Sequence, residues 1–151
     1  MVAAAVIAAG CLLPVARIAE LHPYEYVYFN DLSGGVRAAA SRFELDYWGT
    51  SFTELGRLAV PALAAHGGEL GTPPIRARIC GPIEASRDVL PPSLLPIRHD
   101  SPARLAMAIA IFFCVEPPPG TELARVERLG VPLSRAYLVA PDAVITSFTN
   151  R

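Results

Sequence analysis

From residue 2 to residue 16 the chain carries no charged side chain and is almost wholly Ala, Val, Ile and Leu, interrupted only by Gly10, Cys11 and Pro14. A helix needs roughly 20 apolar residues to cross a bilayer. The run therefore predicts the tail of a transmembrane helix, with residues 1–20 as a truncated membrane segment. Two other readings compete. A signal peptide would normally carry Lys or Arg ahead of the apolar stretch, and a lipoprotein signal would end at Cys11 after Ala8-Ala9-Gly10. Tyr24, Tyr26, Tyr28 and Phe29 follow closely, and such rings suit a membrane-interface belt because one end is apolar and the other wet. Ser33-Gly34-Gly35 predicts the end of any local helix.

Beyond residue 48 the pattern becomes that of a packed domain. Ser51 followed by Glu54 has the spacing of a capping box. Phe52, Leu55, Leu58, Ala59, Ala62 and Leu63 then share one helical face, with Pro61 expected to kink or break the helix and His66-Gly67-Gly68 to end it. Ile75 to Cys80 alternates as a half-buried strand with Arg76 and Arg78 on its wet face. Residues 83–90 predict a short helix, and Pro102 after Asp100-Ser101 predicts a further helix start. Residues 107–115 read as a strand buried on both faces, and residues 122–129 and 131–139 as a hairpin hinged near Gly130. The fold class is α/β (α+β): an N-terminal partial transmembrane helix followed by a small mixed-sheet domain with flanking helices. The divisions are residues 1–20, a junction at 21–48 and a domain at 49–151.

Composition sharpens this picture. The chain has 151 residues, 52% of them hydrophobic, and a mean hydropathy of +0.37, high for a chain without membrane contact. A formal net charge of −1 leaves no basic field for nucleic acid. Cys11, Cys80 and Cys114 have no C-x-x-C spacing, so no zinc site or redox dithiol is indicated. Cys80 and Cys114 each close a candidate strand and read either as a disulfide, outside the cytoplasm, or as two buried thiols. No metal or cofactor is expected.

His22-Pro23, Tyr28-Phe29-Asn30, Gly34-Gly35 and Glu44-Leu45-Asp46-Tyr47-Trp48-Gly49, leading into a helix, form one block. It resembles the segment after the last transmembrane helix in bacterial family 39-type glycosyltransferases, relatives of protein mannosyltransferases. The likeness covers about a quarter of the chain. It departs from the family pattern at Tyr47, which separates Asp46 from Trp48, at Thr50, where Gln is usual, and at Asp31, which replaces Glu. It implies attachment to the transmembrane portion of an enzyme that moves sugar from a polyprenyl-phosphate carrier on the outer face of the inner membrane. It also implies a periplasmic position for the domain, against the weak positive-inside signal of Arg17. The catalytic carboxylate of that family lies in its first outer loop, which has no counterpart here, so this piece is expected to be non-catalytic. The alternative is a self-standing membrane-anchored binding or scaffold protein.

Sugar transfer needs a general base, and the carboxylates nearest the motif are Glu44 and Asp46. On a strand they would share a face as an acid/base pair; the plainer reading is a solvated edge or a cap before a helix. His22 is a candidate for contact with a lipid-linked sugar headgroup, or a residue that shapes the turn out of the helix. Trp48 is a candidate for stacking on a sugar ring, or a core anchor. Asn30 completes the candidate set through its place in the motif. His66 and His99 lack metal-ligand spacing.

Overall fold

The computed structural model describes residues 2–66, 74–109 and 117–145. It shows a mixed α/β fold in which four helices accompany one five-stranded sheet. Helix α1 spans Val2–Leu21, α2 Gly35–Ala40, α3 Phe52–Ala65 and α4 Ile83–Val89. The strands are β1 Ile75–Cys80, β2 Leu94–Arg98, β3 Leu105–Ile109, β4 Gly120–Arg128 and β5 Val131–Val139. Their spatial order is β2-β1-β3-β5-β4, with β1 parallel to both β2 and β3, and β5 antiparallel to β3 and β4.

The sheet alternates as a pleat requires. Ala77 and Ile79 of β1 and Leu105, Met107 and Ile109 of β3 face the main core, which α3 closes with Phe52, Leu55, Ala59 and Leu63. Gly56 lets this helix come close: a Cβ there would lie 2.7 Å from the Pro91 ring. Cys80, Ala106, Ala108, Tyr137 and Val139 face the other side, against Ile145. One extra residue in β5 disturbs the ladder, because Val126 pairs with Ser134 and Glu127 with Pro132. This bulge lets the consecutive residues Leu133 and Ser134 both be buried. The hairpin turns at Leu129-Gly130, both with positive φ (52° and 73°), the pairing a two-residue type I′ turn needs.

Several expectations are corrected. Arg78 is not on a wet face but 2% exposed. Its Nη1 and Nη2 donate to the carbonyls of Ala143 (2.6 Å) and Ala140 (2.9 Å), pinning residues 140–145 over the back of the sheet. Burial lowers its pKa, and the charge of Asp142 partly offsets this. No helix starts at Pro102; β3 begins three residues later. Strand β2 has no counterpart in the sequence pattern, which Pro96 interrupts, yet an edge strand tolerates a missing donor. Helix α3 runs unbroken through Pro61, held by its buried face. The stop expected at Ser33-Gly34-Gly35 is present: Gly34, with positive φ, closes the 3-10 turn Asp31–Ser33 and also precedes α2, which starts at Gly35. Residues 110–115 of the expected central strand lie outside the described residues.

The aromatic belt is also rearranged. Tyr24 is buried beside Leu21 and Val27, and Tyr28 and Phe29 pack half-buried against the core; only Tyr26 stays exposed. The junction thus belongs to the same core as the sheet. Among the described residues no helix is long and apolar enough to cross a membrane. Helix α1 nonetheless exposes Ile7, Leu12, Leu13, Val15 and Ile18, while Arg17 pairs with Asp31 at 3.6 Å and Leu21 is buried at its root.

Ile79 is 2% exposed in the main core. Ile79→Asp would bury an unpaired charge, whose desolvation exceeds the stability of an ordinary domain. The expected result is loss of the cooperative melting transition; a normal melting curve would show that β1 is misregistered.

Candidate functional site

The motif residues 43–50 form a series of turns, not a strand, and the side chains the sequence brings close part company. Asp46 turns inward and is 2% exposed. Its Oδ1 accepts from the Tyr26 hydroxyl (2.5 Å), the Thr50 amide (3.0 Å) and the Thr50 hydroxyl (2.9 Å). Its Oδ2 accepts from the Ser51 amide (3.1 Å) and the Ser51 hydroxyl (2.5 Å). The Tyr26 and Thr50 hydroxyls also meet each other. Ser51 Oγ lies 2.6 Å from Ser134 Oγ; its single proton faces Asp46, so Ser134 is the donor in that pair.

This arrangement replaces the expected capping box. Ser51 makes no side-chain cap bond to the helix, because its hydroxyl serves Asp46. Glu54 reaches away instead, accepting from Tyr24 Oη (2.8 Å) and pairing with Arg128 Nη2 (2.9 Å). Arg128 also lies over the Tyr24 ring, 4.9 Å from its centroid, and its Nε donates to the His22 carbonyl at 3.2 Å. Burial raises the Tyr24 pKa, aided by the bond to Glu54; burial and the bond to Asp46 raise that of Tyr26.

The remaining candidates are dispersed. The His22 side chain is exposed and pairs with Glu25 at 2.5 Å, while its backbone takes part in the turn out of α1. Asn30 caps the short 3-10 turn Asp31–Ser33, its Oδ1 accepting from the Leu32 amide at 2.8 Å. Trp48 is 64% exposed and so is not a core anchor; its ring meets that of Tyr47 edge-on, with centroids 5.1 Å apart. His22, Asn30 and Asp46 therefore each hold local backbone or neighbouring side chains in place. Asp46 is neither a solvated edge nor a free base: its acceptor sites, about four lone pairs, are filled.

Glu44 is the residue sequence reasoning named but undervalued. Its Oε1 is buried without a hydrogen-bond partner among the described residues. Burial, and then the charge of Asp46, push its pKa up to about 7. The i,i+2 spacing to Asp46 was legible, but its desolvation was not. Among the described residues no group of three or more His, Cys, Asp and Glu side chains could hold a metal ion. Cys80 is disulfide-bonded, Cys11 is free and exposed, and Cys114 lies outside the described residues. The chain matches no protein-family model, no curated protein and no solved structure.

Asp46→Asn would set an amide N–H₂ against donors and leave buried hydrogen-bonding groups unpaired. The expected loss is about 3 kcal/mol in urea unfolding; an unchanged midpoint would mean that the network carries no weight. Glu44 predicts a pH effect of opposite sign to that of a salt-bridged acid. Its carboxyl holds its proton more tightly folded than unfolded, so its favourable contribution is present at low pH. That contribution is lost as pH rises from the ordinary 4.5 through about 7. Relative to wild type, Glu44→Gln should melt higher at pH 8 and lose that advantage at pH 4; parallel profiles would refute this.

Proposed function

We propose that this chain is a non-catalytic, membrane-attached extracytoplasmic domain of a glycosyltransferase that draws sugar from a polyprenyl-phosphate carrier. It packs on the transmembrane portion of the enzyme and shapes the acceptor side. The observation that supports attachment most directly is α1. Its exposed apolar residues Ile7, Leu12, Leu13, Val15 and Ile18 point in all directions around the helix at 100° per residue. A helix docked in one protein groove needs a single apolar stripe, whereas a helix that is apolar all round calls for lipid or a bundle of spans. The first charges, Arg17 and Glu20, pair at 2.8 Å near the domain end, where headgroups and water begin.

The enzyme assignment rests on the motif residues His22-Pro23, Tyr28-Phe29-Asn30, Gly34-Gly35 and Glu44 to Gly49. The disulfide at Cys80 fits an oxidising compartment, which favours the periplasm. The absence of chemistry in this piece is supported by Asp46, whose oxygens are occupied by five donors.

The test begins with flotation of the full chain on phosphatidylethanolamine/phosphatidylglycerol vesicles. Because the net charge is −1, the attachment is apolar, and molar salt should not release it. Leu12→Asp/Leu13→Asp should lower partitioning at least a hundred-fold, since each charge costs about 2.5–3.5 kcal/mol in lipid. Equal partitioning of the variant would overturn the attachment. A photo-crosslinker at position 13 in native membranes should then join the chain to a multi-spanning glycosyltransferase. Crosslinks to lipid alone would favour the self-standing anchored domain.

A further inference from the structure

We propose that the domain makes a second contact with the bilayer, through the exposed rings of Tyr26, Phe43, Tyr47 and Trp48, at headgroup depth beside the root of α1. The inference rests on the reading that α1 lies in lipid, and it specifies how the domain then sits.

Four large rings are exposed by half or more at one place in the fold. They are not the consecutive belt the sequence suggests, because most of that belt faces the core. They come from two segments joined by the Asp46 network: Tyr26 follows α1 within the turn Glu25–Val27, and its hydroxyl holds Asp46 in the middle of residues 43–48. Phe43 stacks on Phe29 with centroids 5.5 Å apart, tying the start of the same loop to the same turn. Tyr47 and Trp48 complete the group as an edge-on pair.

The position of this group relative to α1 is fixed by packing. Leu21, Tyr24 and Val27 are buried in the main core. Arg128 grips the turn from β4, bonding the His22 carbonyl and Glu54 and covering the Tyr24 ring. The last residue of α1, the turn that follows it and the loop at its root are thus tied to the same core. If the apolar length of α1 is embedded, its charged end at Arg17 and Glu20 lies at the interface, and Tyr26, in the turn that follows the helix, ties the loop of Phe43, Tyr47 and Trp48 to that end. Tyr and Trp are the side chains this zone favours; the Tyr26 hydroxyl stays on Asp46, so that residue offers lipid its ring surface alone. Arg42, exposed beside Phe43, supplies a donor for a lipid phosphate. Continuity with the α1 surface thus selects a phospholipid interface as the occupant.

The chain contains one tryptophan, Trp48, so intrinsic fluorescence reads this contact without labelling. The full chain is mixed with phosphatidylethanolamine/phosphatidylglycerol vesicles, and flotation is scored on the same samples. The expected result is a blue shift of Trp48 emission and a several-fold loss of acrylamide quenching. Quenching should be stronger by lipids brominated near the headgroup end of the acyl chain than by lipids brominated near the methyl end. A chain that floats while Trp48 stays open to acrylamide and insensitive to brominated lipid overturns the aromatic contact and leaves α1 attachment standing. A chain that does not float overturns both. A shift produced by soluble oligosaccharide and not by vesicles also overturns the lipid contact, in favour of a carbohydrate platform.

Discussion

A carboxylate withdrawn from water has to be met by hydrogen-bond donors, or its burial costs more than a small domain can bear. Asp46 is met by five, contributed by the turn after α1, by Thr50 and by the start of α3. Ser51 carries the network onward to Ser134 in β5, where the bulge has turned that hydroxyl inward. One buried charge thereby joins the root of the N-terminal helix, the motif loop, α3 and the sheet. The bonds are short and mutually dependent, as in a polar network that gains only when every member is satisfied. The same saturation removes Asp46 from acid/base chemistry.

Glu44 is the counterpart of that arrangement. Glu44, two residues from Asp46, is withdrawn from water without a donor for its Oε1 among the described residues, and burial, then the charge of Asp46, push its pKa up to about 7. Both effects follow from packing the loop against the domain. A second polar junction, formed by Arg128, Glu54 and Tyr24, reinforces the first from β4. Together they fix the turn that follows α1 against the folded body. In the proposed role, this anchored turn is where an apolar arm would meet the domain, with the exposed rings of Tyr26, Phe43, Tyr47 and Trp48 carried by that turn and the loop bonded to it.

The chain's periodicities were informative where local pattern and burial agree. The alternation of Ile75 to Cys80, the helical face of Phe52, Leu55, Ala59 and Leu63, and the Gly130 hairpin all appear close to their expected places, because each is set by side-chain period and turn chemistry. Failures came where a tertiary partner redirected a residue. Arg78 sits on the alternate face, as its register demands, but that face is covered by residues 140–145, whose carbonyls receive the guanidinium. Ser51 and Glu54 have capping-box spacing, yet each found a better-placed partner outside the helix. Tyr24 and Trp48 exchange their expected roles, the first entering the core and the second remaining exposed.

By itself the sequence determined the mixed helix-and-strand character, the net charge of −1 and the apolar N-terminal helix, because composition and period act over neighbouring residues. Only the tertiary structure decided which motif side chains are buried. Asp46, Glu44 and Trp48 lie within five residues, and nothing in their spacing separates a saturated carboxylate, a strained one and an exposed ring. That separation arises from the approach of Tyr26 to Asp46 and of Ser134 to Ser51, across 20 and 83 residues of chain, and burial is a property of such approaches.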